Sequence, residues 1–168
     1  MENTEISRLV QQLGLKPHPE GGFYAETYRA TDTVTRHSDG SVRASSTAIY
    51  YLLANGAYSA WHRIASDEVW HFYAGSPLDV HVLTPQGALL THHMGPAIER
   101  PGCIYQATVP AGHWFAAELV DPGSFALVGC TVAPGFEFSE FELAETGALQ
   151  SYADTHGDIV RRLMPKPL

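Results

Sequence analysis

The chain has 168 residues, 45% of them hydrophobic, 11% aromatic and 17% charged, with 10 Lys plus Arg against 18 Asp plus Glu for a formal charge of −8. This is globular composition, and folding a chain of this length buries roughly 70% of its extended surface without disulfide or metal staples. The acidic balance and the lack of any basic run exclude a phosphate-binding nucleic-acid surface, and no run of about 18 apolar residues exists to span a membrane.

Ile6, Leu9, Val10 and Leu13 recur at helical spacing, so the chain opens on an amphipathic helix over about 3–13, with Gly14 as its C-cap. The acidic start, Met1-Glu2-Asn3-Thr4-Glu5, lacks the layout of a secretory signal, and a cytoplasmic protein is expected. Lys16 to Gly22 holds two prolines and two glycines, which makes it a shaped loop ahead of a strand at Phe23 to Arg29. From about 44 to 132 the sequence breaks into short runs rich in Val, Ile, Tyr, Phe and Thr. The runs are 44–54, 58–64, 68–73, 78–84, 88–94, 105–109, 114–119 and 124–132. Turn signals separate them, beginning with the hairpin signal Asn55-Gly56. Strands at this spacing predict a sandwich or a closed antiparallel barrel. Phe136 and Phe138 alternate with acids and read as an edge strand packing under the barrel, with Ser139 as a cap for the turn after it. A helical tail over about 140–164 ends at Pro165, so residues 1–168 form one domain with its barrel over about 22–138.

Cys103 and Cys130 form no CxxC pair and read as two buried free thiols of a reducing compartment. No Walker loop, dinucleotide fingerprint or nucleophile elbow is present, which disfavours phosphoryl transfer, dinucleotide redox and serine hydrolysis. Of the nine histidines, His37, His92, His93 and His156 fit surface or turn positions. The dense region is 56–75. His62 and Glu68 lie across a short turn there, and on antiparallel strands their side chains can meet on one face. An imidazole and a carboxylate in one apolar cavity can ligate a metal or work as a base and its orienter. Trp61, Trp70, Phe72, Trp114 and Phe115 supply aromatic walls for a small-molecule site. Tyr50, Tyr51 or Tyr73 could donate a proton. Glu20 could be presented by the 18–23 loop over the barrel mouth. Arg29, Arg43 or Arg63 could hold a ligand anion there.

The spacing Gly56-x5-His62-x-Ile64-x3-Glu68-x6-Gly75 resembles the first motif of the cupin superfamily, and Pro110-Ala111-Gly112 resembles the core of its second. His18–Phe23, Ser46–Leu53, Ser66–Tyr73, Val109–Ala117 and Val128–Phe136 are similar to the cupin-5 family, largely a domain of unknown function. The resemblance implies an all-β fold, an antiparallel double-stranded β-helix (the cupin jelly-roll barrel), with short helices at both chain ends. It also implies a homodimer and one ligand cavity. Metal-binding cupins use three His and one Glu, and here two of those positions fall on Ile64 and Phe115. The expectation is therefore a small-molecule-binding cupin without a cofactor. Its acid–base chemistry would centre on His62, with Glu68 as orienter and Tyr50 or Tyr73 as acid. An analogy of fold, without matched motifs, to the metal-free nucleotide-sugar epimerases points to a sugar-like or nucleotide-linked ligand. Two alternatives stand beside it: a non-catalytic binding protein, and a divalent-metal enzyme using His62, Glu68 and His113.

Overall fold

A computed structural model describes residues 4–167. Two antiparallel sheets face each other. The first has the order β1 (Lys16–Pro17), β2 (Phe23–Arg29), β5 (Thr47–Ala54), β12 (Phe125–Ala133), β7 (Asp67–Gly75) and β10 (Gln106–Val109). The second has the order β13 (Glu142–Leu143), β6 (Ser59–Arg63), β11 (Trp114–Leu119), β8 (Leu78–Leu83) and β9 (Leu89–Met94). A separate hairpin joins β3 (Thr33–Thr35) to β4 (Val42–Ala44).

The strands predicted between 23 and 132 are all present, with ends moved by at most three residues and the 44–54 run divided at Ser45-Ser46 into β4 and β5. Their pairing differs from simple hairpins. Asn55-Gly56 does turn with positive φ at both residues, but it carries the chain from β5 in one sheet to β6 in the other. Most later turns also cross between sheets, and β8–β9 is the one consecutive pair from β5 to β12 that stays within a sheet. Each crossing places sequence neighbours on facing layers. The inward positions, including Leu53, Trp70, Phe72, Val80, Phe115 and Val128, therefore build one core between the sheets.

Helix α1 (Thr4–Gln12) covers the outside of the first sheet. Its stripe of Ile6, Leu9, Val10 and Leu13 packs on Leu52, Ala54 and Leu127, and Gly14 ends it at φ 63°. Helix α2 (Gln150–Arg162) covers the outside of the second sheet, with Leu149, Val160 and Leu163 against Trp61, Leu83 and Trp114.

Segment 136–141 departs from the expected edge strand. It forms a 3-10 turn at Phe138–Glu140, and Ser139 does not cap it, because Glu137 stands at the cap position with no side-chain bond. What holds this turn is Glu140, which points away from the aromatic residues around it. Arg36 grips both Glu140 oxygens and Arg43 binds one of them. Arg36 is buried and also reaches Ser66 at 2.9 Å, in the turn that leads to Glu68. One guanidinium therefore ties the β3–β4 hairpin, the 136–141 turn and the β6–β7 turn together. Breaking a buried ion pair leaves an uncompensated charge. Glu140→Ala is expected to lower the unfolding free energy by about 3 kcal/mol, the low end for such pairs because Asp39 still contacts Arg36. Urea melts of the full chain measure it, and a loss below about 1 kcal/mol would mean the pair is effectively solvated.

Candidate functional site

Strand alternation decides which expected residues reach the space between the sheets. On β6, His62 points inward and Trp61 outward, where Trp61 packs under α2 and donates its indole N–H to the Val160 carbonyl at 3.1 Å. On β11, Phe115 points inward and Trp114 outward, and Arg63 lies over the Trp114 ring at 4.4 Å. On β5, Tyr51 points inward, while Tyr50 meets the exposed Tyr73 edge-to-face on the opposite side. Trp61, Trp114, Tyr50, Tyr73 and Arg63 therefore lie away from the cavity. Trp70, Phe72 and Phe115 are core residues behind it rather than lining it, although the Phe115 ring supports His62 at 4.0 Å.

The cavity has a volume of about 270 Å³. Its inner end is made by Glu20, Tyr51, His62, Glu68 and Cys130, and its wall by Tyr24, Phe136, Phe138 and Phe141. Lys16, Glu26, Arg29 and Glu137 also line it. The aromatic wall comes largely from the segment that alternation assigns to an edge strand. With the 3-10 turn and the Glu140 anchor its phenylalanines line the cavity instead, although Phe138 remains 47% exposed.

Glu68 is not the hydrogen-bond partner of His62. That partner is Glu20, whose Oε2 lies 2.8 Å from His62 Nε2. Glu20 reaches this point because the 18–22 loop turns under the barrel. Its N–H donates to His18 Nδ1 at 3.1 Å, its carbonyl accepts the Ala60 N–H at 2.9 Å, and the Tyr51 hydroxyl donates to the Gly21 carbonyl at 2.6 Å. Glycine is required at position 21. Its φ is 112°, and a Cβ there would sit 2.1 Å from the Tyr58 carbonyl oxygen.

His62 Nδ1 faces the Ala60 carbonyl at 2.7 Å, so it must carry a hydrogen. With Nε2 against a carboxylate, both ring nitrogens donate and the pair is imidazolium and carboxylate. Burial alone would raise the Glu20 pKa and lower that of His62. Their mutual attraction and hydrogen bond outweigh burial, so Glu20 is held below the ordinary carboxyl range and His62 above the ordinary imidazole value. His18 is kept neutral by burial.

Glu68 is displaced in the opposite direction. Burial pushes its carboxyl up to about 7, against the pull of His62, with a smaller upward push from the Glu20 charge. The Cys130 thiol lies beside Glu68 and is itself raised by burial. Cys130 sits diagonally across from Glu68, because Val132 on β12 pairs directly with it. Cys130 is a buried thiol as expected, whereas Cys103 is only half-buried.

The metal alternative does not fit this donor set. Two positions of the cupin ligand pattern hold the apolar Ile64 and Phe115. His62 has committed both nitrogens, and the half-buried His113 turns toward the Ala111 carbonyl at 3.3 Å, outside the cavity. Among the described residues no group of three His, Cys, Asp or Glu side chains is arranged to hold a metal ion. Arg29 does line the cavity, but it is held by Glu26 through two hydrogen bonds and by Glu137 through a third.

Residues 7–144 match the Cupin_5 family (cupin superfamily, DUF985), and the chain belongs to that family. A hypothetical protein from Leishmania major is similar over 95% of this chain and 98% of its own, at 31% identity and TM-score 0.86. A Shewanella oneidensis protein is similar over the whole of both chains, at 35% identity and TM-score 0.84. Bacillus subtilis oxalate decarboxylase shares the fold at 15% identity and TM-score 0.56, over 91% of this chain and 38% of its own. A Klebsiella pneumoniae protein with a double-stranded β-helix domain also shares it, at 18% identity and TM-score 0.51 over 81% and 94%. The two facing sheets are thus the double-stranded β-helix of the cupins. No curated protein matches the chain. Among the described residues no helix is long and apolar enough to cross a membrane.

The Glu68 shift has a sign that stability measurements can read. A carboxyl whose pKa rises on folding contributes stability below its unfolded value of 4.5, and that contribution is lost as pH climbs toward about 7. The loss amounts to roughly 3 kcal/mol. Glu20 contributes oppositely, with stability present above the ordinary carboxyl value and lost as pH falls through its depressed one. Glu68→Gln is expected to flatten the decline between pH 5 and 7 and to leave the protein more stable than wild type at pH 8. Urea midpoints at several pH values test this, and an unchanged pH profile would count against a buried, raised Glu68.

Proposed function

We propose that this cavity binds a small molecule and exchanges a proton with it through Glu68, as a metal-independent isomerase or epimerase does. The observation that carries this reading is a buried carboxyl with a pKa of about 7, facing a cavity, beside a second carboxylate that is locked in an ion pair. Two carboxyl groups whose surroundings push their pKa values apart are the usual arrangement for acid–base work. Glu68 near neutrality is available as an acid below its midpoint and as a base above it. His62 is unsuited to the central role, since both of its nitrogens are occupied. It acts instead as a fixed positive charge that stabilises Glu68 when the carboxyl ionises.

The volume limits the ligand. About 270 Å³ lies at the small end of ligand cavities, enough for a monosaccharide-sized molecule. The sugar part of a nucleotide-linked ligand would fill it, and the nucleotide would lie outside the mouth.

Solvent-exchange NMR tests the reading before any product is known. The full chain is incubated in D2O with a panel of keto and aldo compounds of monosaccharide size or smaller, and loss of the C–H signal next to the carbonyl is followed. Wild type is expected to wash deuterium into at least one compound, and Glu68→Gln to slow this by at least about 100-fold while remaining folded. Saturable binding without exchange would make the protein a non-catalytic ligand-binding cupin.

A further inference from the structure

The inner end of the cavity offers acceptors but no free cation. His62 has committed both nitrogens, the Tyr51 hydroxyl hydrogen is given to Gly21, and burial keeps the Cys130 thiol uncharged beside Glu68. Glu68 is 7% exposed, lines the cavity and forms no ion pair among the described residues. A carboxyl has about four acceptor positions to be met. Of the other charges in the lining, Glu20 is paired with His62 and Arg29 with Glu26 and Glu137, while Lys16 is an exposed ammonium set against the Tyr24 ring. Ionised Glu68 is the buried charge in this lining that has no ion-pair partner among the described residues.

The wall has the matching property. Phe138 stands edge-to-face with Phe136 at 4.9 Å, with Phe141 at 6.0 Å and with Tyr24 at 6.2 Å. Aromatic faces carry negative potential and attract ammonium groups. This wall already does so once, since Lys16 Nζ lies 5.2 Å from the centre of the Tyr24 ring. An anionic ligand would meet Glu20 and Glu68 at the inner end, with only the neutral His18 ring as a donor there.

We propose that the ligand of this cavity is a small organic cation, an ammonium-bearing molecule whose charge lies against Glu68 and whose hydrocarbon body lies along the Tyr24, Phe136, Phe138 and Phe141 wall. This rests on the reading of the Glu68 cavity as the ligand site and adds the ligand's class to it. Binding is coupled to a proton. The ammonium replaces the Glu68 proton, which leaves to solvent, and no other bond changes. The groups facing Glu68 are Glu20, His62 and Cys130. The Glu20–His62 pair remains charged and the thiol remains protonated through this change, so a single proton is released. The ligand thereby places Glu68 in its base form.

Choline and its uncharged isostere 3,3-dimethyl-1-butanol separate charge from shape. Calorimetry with the full chain at pH 8 is expected to show choline favoured by at least about tenfold. That preference should fall by up to about tenfold per pH unit below about 7, as protons compete for the carboxyl. Titration in two buffers of different ionisation enthalpy at pH 6.5 should show proton release approaching one per choline bound. Glu68→Gln, checked for folding by its melt, should lose both the preference and the proton release. Equal or tighter binding of the alcohol at pH 8, or no saturable binding of choline, would overturn the inference. The deuterium assay fails separately. Exchange on neutral carbonyl compounds without cation preference removes the ligand class and keeps the chemistry, whereas cation preference without exchange on any compound removes the chemistry and keeps the class.

Discussion

The ion pair between Glu20 and His62 is the contact on which the rest of the site depends. Both partners are buried, and burying two charges costs several kcal/mol each unless geometry and further hydrogen bonds compensate. Here they do, through the 2.8 Å contact, the Ala60 carbonyl on the far side of the imidazole and the His18 ring beside the carboxylate. The pair fastens the 18–22 loop to β6, which seals the inner end of the cavity. It also sets the charges beside Glu68, where the imidazolium favours the ionised carboxyl more than the Glu20 carboxylate opposes it, so the pair limits to about 7 a pKa that burial raises. One interaction thus has a structural consequence and a chemical one.

The second requirement is the wall. Segment 136–141 follows the last long strand and would pack as a simple edge without an anchor. Glu140 supplies it by reaching back to Arg36 and Arg43 on the β3–β4 hairpin. Turning Glu140 away from the cavity turns Phe138 and Phe141 toward it. Because Arg36 also bonds Ser66, the wall and the turn that carries Glu68 share a support. Charge networks at the periphery, rather than the apolar core, therefore set the shape of the ligand space.

Much of this was legible in the chain. The turn spacing marked nearly every strand. The motif around His62 and Glu68 pointed to the family and to two of the central side chains, and Gly21-Gly22 marked the loop that bears Glu20. Other parts were readable but need strand parity applied strictly. Trp61 and Trp114 neighbour inward residues and must therefore face outward, and Tyr51 rather than Tyr50 shares the inner face. What the sequence could not show is long-range pairing of charges. Glu20 lies 42 positions before His62 and Glu140 lies 104 after Arg36, and no local periodicity links either pair. The inward turn of Phe138 follows from such a pairing, so it was invisible for the same reason. Asn55-Gly56 is a subtler case. The turn type is local and correctly marked, but whether it joins neighbours in one sheet or links two sheets depends on the whole barrel.

At pH values between the ordinary carboxyl range and about 7, the two buried carboxyl groups of this cavity hold opposite protonation states. Carbon-13 NMR of the glutamate side-chain carboxyls reads this directly, with Glu20 and Glu68 assigned from single Gln substitutions. A Glu68 resonance titrating near 7 and a Glu20 resonance titrating below the ordinary carboxyl value are expected. A Glu68 resonance titrating near the ordinary carboxyl value, or a Glu20 resonance still protonated at pH 6, would contradict this.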